Sequence, residues 1–331
     1  MLLFFSGCSP VYVFKSASGH AKFLWGRRSI EGALADPATP GGLREKFVLV
    51  RDVRKFAFER MSLRRTADYG SYSPVKGPYL SYLVSACEKT RFKPHLWRFP
   101  LAGSFPYKGY FDRGDAARER GRLERRGLDA TVGGVTAYNI PLPFANPLPS
   151  TALEEPPGEL AELIIHELTH GTVFFKNQIG FDEELATFVG EQGADDFLRD
   201  RYGEDSRELA DFRASLRRGR DFSRAIDEVY ARLEALYQGG ASEAEKLKLR
   251  EEIFRSAEAR LRAEGFEMGQ PLNNAVILAH RLYHKNQERF KAVYESEQRD
   301  WPKTMDFFRS LDKKNPGEDL GRRLTPPAAK D

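Results

Sequence analysis

One short segment constrains the fold of this chain more than any other. Residues 163–175 read LIIHELTHGTVFF, and Leu160 and Ala161 extend the same apolar run towards the N-terminus. Because apolar residues surround both histidines, the pattern predicts a helix that is buried in the core. Two imidazoles and a carboxylate that are buried without partners destabilise a fold. The core must therefore contain a group that compensates them.

The spacing of these polar residues indicates what that group is. His166 and His170 are four residues apart, so they share one face of the helix and can present two ring nitrogens to one ion. Glu167 lies one step further round, where it can reach water beside that ion. H-E-x-x-H is the pattern that places two zinc ligands and a general base on one helical turn. We therefore predict one zinc ion, with Glu167 as the base. The simpler alternative is a buried helix with two hydrogen-bonded histidines.

A catalytic zinc ion needs a third protein ligand and one open position. Residues 176–180, KNQIG, predict a turn that lays a second helix against the first. Asp182 at its start is interpreted as the N-cap. Glu183 shares a helical face with small residues, which permit the close approach of two helices, so Glu183 is the predicted third ligand. Glu184 is interpreted as a residue outside the coordination sphere. The small residues on that face are Ala186, Thr187 and Gly190.

Supporting roles have several candidates. Glu191 would orient a ligand histidine, because ligating imidazoles usually donate their second N–H to a carboxylate or a carbonyl; the alternative is an ordinary salt bridge. A transition-state oxyanion needs a further donor, and the candidates are Tyr138, His280 and Tyr283. The free amine of a peptide needs an anionic partner, which the sequence leaves open among Asp112, Glu184 and Glu191.

The substrate would be a peptide. Residues 131–138, TVGGVTAY, predict an edge strand along which a peptide adds by backbone hydrogen bonds. Gly133 and Gly134 would permit close backbone approach, and the alternative for this segment is a plain bulge or turn.

The predicted elements follow the order helices, strands, helices. Residues 11–61 are predicted to be helical, residues 66–149 rich in strands and residues 157–312 helical again. This order predicts an α+β fold, predominantly α, in which a small sheet packs on the H-E-x-x-H helix. We expect a single domain over residues 9–315. Residues 316–331 are rich in proline, glycine and charge and are predicted to be disordered.

Composition excludes several classes of protein. The net charge of +4 arises from interspersed acidic and basic residues, which is typical of solvated helix faces and not of a nucleic-acid surface. No apolar run approaches the roughly 20 residues of a transmembrane helix. The only two cysteines, Cys8 and Cys87, exclude a disulfide framework and a cysteine zinc cluster. Cys8 ends the run MLLFFSGC, which resembles the end of a bacterial lipoprotein signal, so residues 1–8 are interpreted as a truncated signal with a lipidated cysteine.

The chain resembles the bacterial family of predicted aminopeptidases, which are lipid-anchored, gluzincin-like zincins with the H-E-x-x-H motif. The resemblance runs over almost the whole chain. Its motifs are the Cys8 start, residues 53–57, Tyr69 and Tyr72, and residues 97–112, 128–138, 159–170, 181–187 and 273–275 with Tyr283.

The resemblance implies a zinc metallopeptidase with aminopeptidase activity. The family's glutamate in a Phe-Asn-Glu motif falls on Glu183, although Asp182 replaces its asparagine. Residues 139–142, NIPL, depart from the family's Ser-Thr-Leu-Gly, so no substrate preference is carried over through that loop. The resemblance also implies a periplasmic protein held by lipid alone, and Ser9 after the cysteine favours the outer membrane of a Gram-negative bacterium.

A different class of function is the alternative. In it the chain is a non-catalytic envelope lipoprotein whose zinc is structural. A helical hairpin, residues 206–237 and 243–264, would then bind a partner. Glu167 favours the enzyme, because a closed structural site needs no general base.

Overall fold

The computed structural model describes residues 9–99, 103–137, 145–282 and 287–325. Helices predominate and short strands form small sheets, so the predicted class, α+β and predominantly α, is confirmed. The helices are α1 Pro10–Trp25, α2 Ile30–Ala35, α3 Gly41–Glu59, α4 Arg113–Arg125, α5 Pro157–His170, α6 Ile179–Tyr202, α7 Arg207–Gln238, α8 Glu243–Ala263, α9 Asn274–Arg281, α10 Gln287–Ser296, α11 Trp301–Arg309 and α12 Pro316–Leu324. The strands are β1 Arg28–Ser29, β2 Ser71–Ser73, β3 Ser81–Cys87, β4 Trp97–Phe99, β5 Gly103–Phe105, β6 Tyr107–Tyr110, β7 Asp129–Val135 and β8 Leu148–Pro149, and a 3-10 helix spans Ser150–Glu154.

The chain forms two compact units whose segments alternate along the sequence. The first contains Met1–Gly19, Ser81–Val135 and Ser215–His284, and the second contains His20–Leu80, Thr136–Ala214 and Lys285–Asp331. The single domain predicted over residues 9–315 stays a prediction. Each of the two units is described by itself.

The first unit is built on an antiparallel sheet in the order β6-β3-β7. Helices α4 and α9 pack against this sheet. Ala116 and Leu123, seven residues apart on α4, share one face and are buried with Trp97. The region predicted to be rich in strands therefore contains a helix as well, held by a narrow apolar stripe in a strongly charged sequence. Within the described residues β7 lies at an edge of its sheet, where an edge strand was expected.

The predicted hairpin of helices is present as α7 and α8. The Ser242 hydroxyl accepts from the Glu245 N–H while the Glu245 carboxylate accepts from the Ser242 N–H, so a capping box starts α8. Arg250 on α8 is buried and pairs with Asp129 of β7. The Asp129 carboxylate also accepts from the Asn274 N–H at 3.0 Å, which joins α8, β7 and α9 around one charge.

The second unit contains the H-E-x-x-H helix, α5, which packs against α3 and α6. Its small sheet has the order β1-β2-β8, with β2 antiparallel to β1 and parallel to β8. The expectation that a sheet packs on α5 stays a prediction. Among the described helices, none is both long enough and apolar enough to cross a bilayer.

The C-terminal end differs from the prediction. Residues 316–324 form α12 instead of a disordered tail, with Pro316, Asp319 and Leu320 buried. Pro316 occupies the first helical turn, where proline is favoured, and Asp319 pairs with Arg323 one turn later at 2.9 Å. Proline and charged residues suggested disorder, but here Pro316 starts a short helix and an ion pair stabilises it. Helices α9 and α10 lie within residues 157–312, which were predicted to be helical.

Candidate metal centre

Helix α5 brings both histidines of the motif to one face. Leu160, Ile164 and Ile165 are fully buried and fix the helix in the core of its unit. On the opposite stripe His166 and His170 expose 14% and 21% of their side chains, so both are half-buried at the wall of a polar site. Glu167 is 8% exposed, and its charge reaches His170.

Helix α6 lies unusually close to α5. A Cβ added at Gly190 would stand 3.1 Å from the Glu162 carbonyl oxygen and 3.2 Å from the His166 Cβ. One turn further on, a Cβ at Gly193 would meet the Ile165 side chain at 3.2 Å. Gly190, one of the small residues predicted to lie on the face towards α5, therefore permits this close approach.

This approach gathers three ligand atoms. The Nε2 atoms of His166 and His170 are 3.1 Å apart, and the Oε2 atom of Glu183 lies 3.5 Å from the first and 3.7 Å from the second. All three groups fall within 4.8 Å of one another and could hold a metal ion. Of the three carboxylates at the start of α6, Glu183 is the one in this cluster.

The electrostatics of the cluster suit a cation. Burial disfavours the charged form of His170, but the hydrogen bond and the charge of Glu183 outweigh it and raise the pKa of His170 to about 9. Burial likewise opposes ionisation of Glu183, yet its contacts with both histidines lower its pKa to about 2. Without a metal ion, a protonated His170 beside an ionised Glu183 therefore balances the charge of the cluster.

Asp182 does not have the predicted role. Helix α6 begins at Ile179 with Gln178 as its N-cap, so Asp182 lies inside the first turn. Its Oδ1 atom accepts from the Phe175 N–H at 2.9 Å and so fixes the turn between α5 and α6. Burial raises the pKa of Asp182 to about 7 despite this hydrogen bond. The N-cap interpretation was wrong because the helix gains a turn that the sequence assigned to the loop.

Two other glutamates flank the cluster. Glu184 is buried on α6. Glu191 lies near Glu162, since its charge contributes to the raised pKa of Glu162. The predicted role of Glu191 in orienting a ligand histidine stays a prediction.

Glu162 is a further acidic residue beside the cluster that was not predicted from the sequence. This residue is one turn before His166, so Glu162, His166 and His170 form a single polar stripe on α5. Burial, followed by the charges of Glu191, Glu159 and Glu155, raises the pKa of Glu162 to about 8. The signal was present in the sequence as an acidic residue four positions before the first histidine in an otherwise apolar helix.

The remaining candidates are not part of the three-residue cluster or fall outside the described residues. Tyr138, Tyr283 and Cys8 are outside the described residues, so their roles stay predictions. His280 is in the first unit, where its Nε2 atom is 2.9 Å from the Ser223 hydroxyl and its ring packs edge-on against Phe222. Asp112, a candidate for the amine, is the N-cap of α4 and accepts from the Asp115 N–H.

Comparison with known proteins assigns the chain to a family. Comparisons with curated proteins and with solved structures gave no match. A family model described as "Putative aminopeptidase" matches residues 11–321, which is most of the chain and includes both α5 and α6. The chain therefore belongs to this aminopeptidase family.

Proposed function

We propose that this protein is a zinc-dependent aminopeptidase whose ion is held by His166, His170 and Glu183. The observation that carries the proposal is the spacing of the three ligand atoms, at 3.1, 3.5 and 3.7 Å. Two ligands of one tetrahedral zinc ion, each about 2.0–2.2 Å from it, lie about 3.4 Å apart. Two imidazoles with one carboxylate, and one position left open, also form a ligand set of known catalytic zinc sites.

The residues of the chain divide the chemistry between them. Zinc, when bound, would polarise the scissile carbonyl and make water a stronger acid. The Glu167 carboxylate would take a proton from the attacking water and return it to the leaving amine. Its position on the same turn as both histidines keeps it beside the reacting atoms, and its burial excludes competing bulk solvent.

An aminopeptidase removes single residues from the N-terminus of a peptide substrate, so it needs a group that binds the free amine of that substrate. Asp112 is engaged as a helix cap, and Glu184 is buried. Glu162 lies one helical turn before His166, and the charge of Glu191 on α6 raises the pKa of Glu162, so the two carboxyls repel each other. We place the substrate ammonium at this pair, because a cation offsets the repulsion. Glu162→Gln and Glu191→Gln should then raise KM for free dipeptides and leave hydrolysis of N-acetylated peptides unchanged.

Localisation is a proposal from the sequence alone. The small residue before Cys8 and the short apolar run favour lipidation of Cys8 and a place in the periplasm, at the outer membrane. Labelling cells with a clickable fatty acid would test it, because Cys8→Ser should abolish incorporation of the label.

The decisive experiment pairs zinc analysis with a quenched-peptide assay. Wild type and Glu167→Gln should each bind one zinc ion, and only the wild type should hydrolyse peptides. Glu183→Ala should lose zinc, whereas Glu184→Ala, one position further along the same helix, should retain it. A wild type that binds zinc yet stays inactive on a broad peptide panel would support the non-catalytic alternative instead.

A further inference from the structure

We infer that Tyr69 is a positioning residue for the base of the proposed peptidase, and that its hydroxyl hydrogen-bonds the Glu167 carboxylate in the working enzyme. The inference rests on the proposed function for its catalytic meaning. Three independent observations lead to it: the burial of the hydroxyl, the conformation of the backbone, and the charges nearby.

The Tyr69 hydroxyl is in an unusual state. The residue is 1% exposed, and within the described part of the chain its oxygen has no hydrogen-bond partner. Buried hydroxyls in native proteins nearly always have one, and an exception calls for an explanation. Catalytic hydrogen bonds are often long in a free enzyme and tighten in its complexes, so a buried hydroxyl of this kind is a candidate for one.

The backbone of Tyr69 is strained. Its φ is +58°, in the left-handed region that bulky residues rarely adopt. Such strain persists only when the surroundings over-determine it, and it concentrates at functional sites.

A built scaffold imposes this conformation. The Tyr69 N–H donates to the Asn146 carbonyl at 2.8 Å, while the N–H and the side-chain amide of Asn146 both donate to Asp68 Oδ1. The Arg54 guanidinium donates to the carbonyls of Asp68 and Thr66 at 2.8 and 3.1 Å. These contacts hold the backbone on both sides of the strained residue and so fix the point from which its side chain projects.

The charges of two carboxylates, Glu167 and Asp68, act on Tyr69, so both are candidate acceptors. Burial, then Glu167, then Asp68 raise the pKa of Tyr69 well above its ordinary value, so the hydroxyl remains a donor at physiological pH. The Asp68 Oδ1 atom already accepts two hydrogen bonds from Asn146. A carboxylate offers about four acceptor positions, so Glu167 can accept from Tyr69 in addition to its other contacts.

The test compares Tyr69→Phe with Tyr72→Phe. Tyr72 lies on β2 in the same segment, and its ring packs on Phe47 at 4.7 Å. We expect Tyr69→Phe to lower kcat about ten- to a hundredfold, the range found for residues that orient catalytic groups, with KM and zinc content unchanged. The metal-free variant should have a Tm equal to or above that of the metal-free wild type, because an unpartnered buried hydroxyl is removed. Tyr72→Phe should keep the wild-type kcat.

Two results would overturn the inference. One is an unchanged kcat in Tyr69→Phe while Glu167→Gln is inactive, which would leave the proposed function intact. The other comes from a cycle of Tyr69→Phe, Glu167→Gln and the double variant, melted with zinc: additive changes in Tm would show that the residues do not interact. This second readout decides the question even if the wild type proves to have no peptidase activity.

Discussion

Replacing Gly190 by alanine tests whether the approach of α6 to α5 controls metal binding. The added Cβ would lie 3.1 Å from the Glu162 carbonyl oxygen and 3.2 Å from the His166 Cβ. Non-bonded atoms prefer about 3.5–4.0 Å, so α6 must move away by a few tenths of an ångström. Glu183 moves with it, away from the two histidines on α5.

The size of the effect follows from two opposing contributions. Alanine favours a helix over glycine by about 1 kcal/mol, whereas overpacking costs about 1–3 kcal/mol. The metal-free protein relieves part of the overpacking by separating the helices, but zinc bound to both helices requires the original distance. If zinc binding restores about 1–1.4 kcal/mol of the relieved overpacking energy, zinc affinity falls about five- to tenfold.

The assay is a zinc titration in competition with a chelating dye, together with a thermal melt of the metal-free protein. Gly180→Ala is the matched control, because Gly180 also lies on α6 and the described residues leave open space around its added Cβ. This control should keep wild-type zinc affinity and gain up to about 1 kcal/mol of stability from helix propensity. A folded Gly190→Ala protein with wild-type zinc affinity would refute the idea that close helix packing positions Glu183.

Three further results are expected. Zinc binding at pH 7 should release about one proton, because the pKa of His170 is about 9 in the metal-free site. Calorimetry in buffers of different ionisation enthalpy measures the number of protons released. A zinc-binding reaction that releases no proton would contradict the pairing of His170 with Glu183. The folded-state pKa of Glu162, about 8, exceeds the unfolded value of 4.5, so its contribution to stability falls as pH rises from 4.5 to 8. Metal-free Glu162→Gln should therefore melt above wild type at pH 8 and near it at pH 4.5, and equal gains at both values would argue against ionisation. Burial raises the pKa of the Cys87 thiol to about 12. A Cys8→Ser protein, in which Cys87 is the remaining cysteine, should therefore react with a thiol reagent only after denaturation. Rapid labelling of the native protein would disprove this burial.

The sequence was sufficient where the chemistry depends on local periodicity. The relation between His166 and His170 is a property of one helical turn. Glu183 required one more step, the stripe of small residues on α6, and that step needed only the assumption that two neighbouring helices pack. Both inferences concern side chains within one element or between consecutive elements.

Residues whose role depends on distant contacts could not be assigned in this way. Tyr69 is almost a hundred positions from Glu167, and its strained conformation is imposed by Arg54 and Asn146. The role of Asp182 depends on where α6 begins, which a tertiary hydrogen bond to Phe175 influences. Helix ends and long-range electrostatics are set by the assembled unit, so a single sequence does not reveal them.

The site contains more carboxyls than three ligands need. Besides Glu183, it has those of Glu162 and Glu167 on α5 and of Asp182 on α6, and burial raises the pKa of Glu162 to about 8 and that of Asp182 to about 7. A structural zinc site with one carboxylate would gain nothing from two further acids that are costly to ionise. An aminopeptidase brings two positive charges to the same place, the divalent ion and the ammonium group of the substrate. The additional carboxyls therefore favour the enzyme over the structural alternative, because only the enzyme supplies a second cation that stabilises their ionised forms.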